Sequence, residues 1–271
     1  MSAWSSEEAA KAWHEMSARR AAAFATVTSL MLDLARLAPG AQVLDIAAGT
    51  GEQSLEAAAR VGEHGSVLAT DISAPMLEIC AESARSAGLA NVRTQVLAGE
   101  HARKLGSARF DALISRFGLM FVPDLDAALA GFFEIVRPKG RLAAAVWDEE
   151  EANPYIGAPL AALRELGRTR DEDELAAAHS LGGDRLPEAL RKAGFRDVEA
   201  HSVEVVRRFA SAAEAVATIR KSAAAVGAVG RLEPELQEVV WTAVERRYAA
   251  FDTGQGCEMR GLAIVAAGTR P

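Results

Sequence analysis

Val43-Leu44-Asp45-Ile46-Ala47-Ala48-Gly49-Thr50-Gly51-Glu52 is the stretch that decides how the rest of the chain is read. An apolar run carrying an acid gives way to a turn of small residues, and a helix-compatible segment, Gln53 to Arg60, follows. That is the layout of a ligand site at the carboxyl edge of a parallel strand. Glycines there let the backbone approach a ligand, because no Cβ stands in the way. Charge narrows the ligand. Asp45 precedes the turn, Glu52 follows it, and Asp71 lies twenty residues beyond Gly51. So much negative charge serves a pyrophosphate poorly. It serves a ligand that presents ribose hydroxyls, an ammonium and a sulfonium.

Working outward, residues 6 to 37 carry two helical patterns, Ala9/Trp13/Met16/Arg20 and Phe24/Val27/Met31/Leu34, ended by Pro39-Gly40. Strands and helices then alternate. Strands are expected at Gln42 to Ile46, Ser66 to Thr70, Val92 to Leu97, Phe110 to Ser115 and Arg141 to Trp147. Helices are expected at Gln53 to Val61, Pro75 to Ala87 behind an Ser73 cap, and Leu125 to Val136. Such alternation with short turns implies a parallel sheet covered on both faces. After Trp147 the rhythm changes. Helices fit Ile156 to Leu166, Arg185 to Ala193, Ala212 to Ala225 and Glu235 to Phe251, and two more strands fit Val198 to Phe209 and Met259 to Ala267.

Half of the 271 residues are hydrophobic, enough for a sizeable core, and the net charge of −7 argues against a nucleic-acid partner. The pairs Arg19-Arg20, Arg207-Arg208 and Arg246-Arg247 read as solvated helix or strand edges. Two cysteines, Cys80 and Cys257, make no disulfide framework and suit a reducing compartment. The five histidines are scattered, so no metal site is expected. No signal pattern and no membrane-length apolar run appear, and a cytoplasmic protein without a membrane partner is expected.

The candidate ligand residues follow from position. Asp71 ends the second strand, where a carboxylate can accept hydrogen bonds from both ribose hydroxyls, with Ile72 against the base. Glu100, after Gly99, is either an acceptor for an adenine amino group or a solvated loop acid. His101 either packs on the base or is an exposed loop residue. Ser115-Arg116-Phe117-Gly118-Leu119-Met120-Phe121 leaves the fourth strand next to the point where strand order reverses. Phe117, Met120 and Phe121 suit an apolar wall. Arg116 suits the cofactor's carboxylate, an anionic substrate, or a structural ion pair. Trp13, His14 and Met16 lie on the first helix, either as a lid over an apolar substrate or as packing, and His14 is the histidine best suited to be a base if one is used.

These residues resemble the class I S-adenosylmethionine-dependent methyltransferases, in particular the small-molecule branch that includes the ubiquinone/menaquinone C-methyltransferases. The resemblance rests on residues 43–51, Thr70-Asp71-Ile72-Ser73 with Pro75-Met76-Leu77, Gly99-Glu100, Phe110-Asp111-Ala112 and Val136-Arg137-Pro138-Lys139-Gly140-Arg141-Leu142. It implies a doubly wound, seven-stranded, mostly parallel Rossmann-like α/β sheet whose last strand is antiparallel and inserted beside the sixth. It also implies S-adenosyl-L-methionine as cofactor, held by Asp45, Ala47, Gly49, Thr50, Gly51, Asp71, Ile72, Met76, Gly99, Glu100, His101, Ser115 and Phe117. His14 and Arg116 are the candidate catalytic residues. Two departures stand out: Ala47 replaces the family's usual first glycine, and Glu100 replaces its usual aspartate. One domain is expected, with a helical cap (1–38), a cofactor-binding core (39–147) and a substrate side (148–271) that includes a helical lid insertion. The expected reaction is methyl transfer by in-line displacement to an oxygen or carbon of a small, largely apolar metabolite. A nicotinamide-dependent oxidoreductase, a non-catalytic binding module and a non-methyl reaction of the same cofactor are the competing readings. The oligomeric state is left open, a homodimer being the alternative to a monomer.

Overall fold

In the computed structural model, residues 6–107, 109–170 and 174–271 are described. Helices α1 (Glu7–Glu15) and α2 (Ser17–Leu34) lead into β1 (Gln42–Ile46), α3 (Glu52–Val61), β2 (Ser66–Asp71), α4 (Ala74–Ser86), β3 (Val92–Val96), β4 (Phe110–Arg116), α5 (Leu125–Ile135) and β5 (Val136–Trp147). Helices α6 (Pro154–Glu165), α7 (Glu174–Ala177) and α8 (Arg185–Lys192) precede β6 (Arg196–Phe209), and α9 (Ala212–Ile219), α10 (Ala223–Val229) and α11 (Pro234–Ala249) precede β7 (Cys257–Thr269). The sheet order is β3-β2-β1-β4-β5-β7-β6. Strands β1 to β5 pair in parallel, and β7 runs antiparallel between β5 and β6, as the resemblance implies.

Local chemistry sets the boundaries. The Ser6 hydroxyl accepts from the Ala9 N–H at 3.1 Å and caps α1, and the Asp124 carboxylate caps α5 at Ala127 N–H, 2.9 Å. Two expected boundaries shift. The single helix expected over Ala212 to Ala225 is two, because the Ser222 side chain accepts from Ala225 N–H and starts a new helix. The fifth strand, expected from Arg141, begins at Val136, since Lys139 N–H donates to the Arg270 carbonyl and Arg270 N–H donates to the Gly140 carbonyl.

Buried α2 residues Phe24, Val27, Thr28, Met31 and Leu32 fall on one helical stripe, which packs the helix across β4, β5, β6 and β7. The main core fills both faces of the sheet. A second apolar cluster lies among α6, α9, α10 and α11, around Tyr155, Trp241 and Tyr248. Between these two cores, at the carboxyl ends of the strands, a cavity of about 520 Å³ opens.

Candidate active site

The cavity floor is the turn after β1. Gly49 (φ +56°) and Gly51 (φ +87°) adopt left-handed backbone, which a side chain would strain. At Gly51 a Cβ would also collide with Cys80 Sγ beneath it. Ala47 holds φ +55° despite its Cβ, and that methyl sits where a Cβ on Gly118 would be. The contact therefore admits one methyl: alanine on β1's turn, glycine after β4.

Asp71 ends β2 at the cavity wall. Its carboxylate accepts from the Gly49 and Ser73 N–H groups, both at 2.9 Å. Burial raises its pKa above the ordinary value, against the pull of those bonds. Ile72, half exposed at 47%, and Met76 line the same side.

Two arginines converge on one acid. Glu52 accepts from Arg20 and, at 3.0 Å, from Arg116, and it also accepts from the Thr50 hydroxyl at 2.9 Å. Arg116 donates to Thr28 Oγ1 at 2.8 Å, and Arg20 donates to the Trp13 carbonyl at 2.5 Å with its guanidinium 4.0 Å from that indole's centre. Burial alone would raise the Glu52 carboxyl, but the two guanidinium groups outweigh it and hold its pKa below the usual value. The site thus ties α2, the β1 turn and β4 together by charge.

An aromatic wall completes the cavity. Phe117 stacks on Trp147 (3.9 Å, 10°), and Phe24 meets both rings at 4.9 and 5.5 Å. Phe117 has φ +58°, a rare conformation for a bulky residue, held by its N–H bond to the Ala145 carbonyl at 2.7 Å. Met120, Phe121 and Tyr155 extend this wall.

The structure brings Ala47, Gly49, Asp71, Ile72, Met76, Arg116 and Phe117 to the cavity. It sets others behind the wall. Asp45 is wholly buried, bonded by Ser54 at 2.5 Å and Gln53 at 3.3 Å, and burial pushes its pKa to about 7. It shapes the turn from below, outside the cavity lining. Ser115 donates to the Ile46 carbonyl at 2.9 Å and fastens β4 to β1. Thr50 serves the Arg20–Glu52 pair, and Gly51 opens α3. Gly99, Glu100 and His101 begin a 3-10 turn at the neighbouring β3 edge, outside the cavity lining. His14, the candidate base, is exposed on α1 and outside the cavity lining while Trp13 and Met16 face the cavity: one step along a helix rotates the side chain by about 100°.

Sequence reasoning missed Arg207, Trp147 and Tyr155 in this site, and read Arg19-Arg20 and Arg207-Arg208 as solvated edges. In each pair one arginine is exposed and the other faces inward. For β6 the signal was available, since strand side chains alternate between faces. No cluster of metal-ligating side chains occurs among the described residues.

Against known proteins, a methyltransferase-domain family model matches residues 43–140. The chain is 36% identical over 111 residues to the ubiquinone/menaquinone biosynthesis C-methyltransferase UbiE of Edwardsiella ictaluri, covering 41% of this chain and 44% of that enzyme. It is 32% identical over 187 residues to the nocamycin O-methyltransferase of Saccharothrix syringae, covering 65% and 66%. The chain thus spans less than half the length of the C-methyltransferase it matches. The YcgJ protein of Bacillus subtilis shares the fold, with a TM-score of 0.62 over 90% of this chain and 97% of that one at 14% identity. Residues 43–140 are thus a methyltransferase domain, and the chain is similar in sequence and fold to the class I S-adenosylmethionine-dependent methyltransferases. The cofactor of that family is S-adenosylmethionine.

Proposed function

We propose that the chain transfers a methyl group from S-adenosylmethionine to an oxygen or carbon of a small, largely apolar acceptor. One observation carries the reading: a single cavity runs from Gly49 and Asp71 at the sheet edge to the Phe117–Trp147 stack beneath the helical cover. The residues present fit the cofactor. Asp71 accepts from the Gly49 and Ser73 N–H groups, is drawn on by the Ile72 N–H as well, and opens to the cavity, which leaves acceptor capacity on its four lone-pair sites for ribose hydroxyls. Ile72 offers an exposed apolar surface to an adenine face, with Gly99, Glu100 and His101 at the next strand edge for its rim. Arg20 and Arg116 supply positive charge toward a carboxylate, and Glu52 between them balances an ammonium.

The cofactor supplies a methyl group on a sulfonium, which departs as a neutral thioether. This chain's residues need to align the acceptor and exclude water, and orientation alone contributes roughly 7–11 kcal/mol. Phe24, Phe117 and Trp147 form the flat apolar face for that purpose. Burial raises the Tyr155 phenol well above its usual pKa, so Tyr155 acts as a hydrogen-bond donor in the cavity, not as a base.

Two measurements test the reading. S-adenosylhomocysteine should raise the melting temperature while NAD and NADP leave it unchanged, because a ligand stabilises the state that binds it. Methyl-labelled cofactor should then pass label to members of a panel of phenols, enols and carboxylic acids. Stabilisation by a nicotinamide nucleotide alone would move the chain to the oxidoreductases. Stabilisation by S-adenosylhomocysteine with no label transferred across the panel would make it a binding module.

A further inference from the structure

Arg207 has no use in the cofactor half of the cavity. It lies on β6, on the side of the cavity opposite the glycine turn, and lines that cavity. Its guanidinium carbon stands 4.7 Å from the Trp147 ring centre, 4.8 Å from that of Tyr155 and 5.5 Å from that of Phe24. The surface it keeps open faces the cavity, while the protein otherwise encloses it. The other arginines lining the cavity all have acids. Arg19 pairs with Glu214 at 2.8 Å, Arg208 with Glu258 at 2.9 Å, and Arg20 and Arg116 share Glu52. Arg207 alone among them has no acidic partner and no hydrogen-bond acceptor within the described residues.

An arginine stays charged under all ordinary conditions, and a charge enclosed by protein is costly unless it is paired. Three aromatic rings stabilise the faces of the guanidinium through cation–π contact. They leave its in-plane N–H fork unused. That fork matches a carboxylate in bidentate geometry. On the same wall Tyr155, whose ring lies 4.8 Å from that guanidinium, lines the cavity and carries a phenol that can donate. A neutral acceptor would leave the enclosed charge without a counter-charge. A carboxylate would supply one and satisfy at least two of the N–H donors.

We propose that the acceptor of this enzyme is a planar, unsaturated or aromatic carboxylic acid, whose carboxylate binds Arg207 and whose ring system lies on the Phe117–Trp147 stack. The proposal rests on the methyltransferase reading for the word acceptor, but its binding chemistry can be tested without turnover. Arg207 here is a specificity-determining residue and not part of the transfer chemistry.

The probes are 2-naphthoate and its uncharged isostere 2-naphthamide, titrated calorimetrically into the protein with and without S-adenosylhomocysteine. The wild-type protein should bind 2-naphthoate roughly 10- to 100-fold more tightly than 2-naphthamide, the range for a charge-assisted pair. Arg207→Gln should abolish this preference, and Arg207→Lys, which keeps the charge but loses the fork, should restore part of it. Affinity for S-adenosylhomocysteine should be the same in all three proteins. Equal binding of the two probes by the wild type overturns the proposal with no variant needed. So does a preference that survives Arg207→Gln. Failure of S-adenosylhomocysteine to bind any of the proteins would instead overturn the methyltransferase reading, and the naphthoate preference would stand or fall independently of it.

Discussion

The two halves of the cavity are built on opposite principles. On the sheet side every charge is answered: Glu52 by two arginines, Asp71 by two backbone N–H groups, Asp45 by a serine and a glutamine. On the helix side the walls are aromatic, and one cation, Arg207, faces the cavity with no acid among the described residues. The sheet half uses its hydrogen bonds to hold its own shape. The helix half offers a flat surface and a single directional group, which is how a pocket chooses among small acceptors.

The largest expected effect tests how closed the sheet half is. Glu52→Gln leaves two buried guanidinium groups facing each other without a counter-charge. Breaking a buried pair in this way costs on the order of 3 kcal/mol or more, and the midpoint of denaturant unfolding should fall accordingly. A stability change below about 1 kcal/mol would mean that the arginines are hydrated and the charge network is not structural.

Asp71→Ala comes next and separates shape from recognition. It should weaken S-adenosylmethionine binding by roughly 1.5–3 kcal/mol, the range for hydrogen bonds to a charged group, as measured by titration calorimetry on folded protein. Unchanged affinity would remove Asp71 from the cofactor site and leave it as the strut that holds Gly49.

Gly118→Ala probes the seam between the halves. The added methyl would overlap the Ala47 Cβ and lie 3.0 Å from Ser115 Oγ. Overpacking of this kind costs about 1–3 kcal/mol. The double variant Ala47→Gly/Gly118→Ala should recover part of that loss in thermal unfolding, because the colliding methyl is gone and Ala47's left-handed strain with it. Strictly additive losses would show that the contact is not what selects alanine at 47.

The last effect is a slope with pH and not a fixed loss. Asp45 titrates at about 7 in the folded chain against 3.8 as its ordinary value, chiefly through burial. Its proton therefore favours the folded state: the contribution is fully present below pH ~4 and is lost as pH rises toward 7, at no more than about 1.4 kcal/mol per pH unit. Asp45→Asn, which cannot ionise, should lack this component, so the stability of the variant relative to the wild type should rise from pH 4 to pH 7. A pH-independent difference would show that Asp45 stays ionised beneath the turn.

Much of the sheet half is legible in the chain. The acid-bearing strand, the glycine turn and Asp71 are consecutive or separated by one short helix, and their roles depend on local backbone geometry that glycine and strand ends announce. What the sequence overstates is contact. Asp45, Thr50, Gly51 and Ser115 belong to the site's framework and not to its surface, because a residue's type shows that it can bond a ligand, not whether another side chain reaches it first. His14 is displaced for a related reason. Trp13 and His14 are adjacent in sequence, but the packing of α1 against α2 and α4 decides which of them turns inward.

The helix half is hardly legible at all. Phe24, Trp147, Tyr155 and Arg207 come from α2, β5, α6 and β6, up to 183 positions apart, and no local pattern connects them. In sequence Arg207-Arg208 is one basic pair among three. The alternation of a strand gives its two members different fates, but only the position of β6 at the sheet edge shows which face the cavity lies on. The sequence by itself determined the alternating strand–helix core and the glycine turn with its strand-end acids, because hydrophobic period, glycine placement and strand-end acids act over a few residues. The tertiary structure alone decided which charges are neutralised and which is left for a ligand, because pairing depends on distances of a few ångströms between segments that the chain keeps far apart.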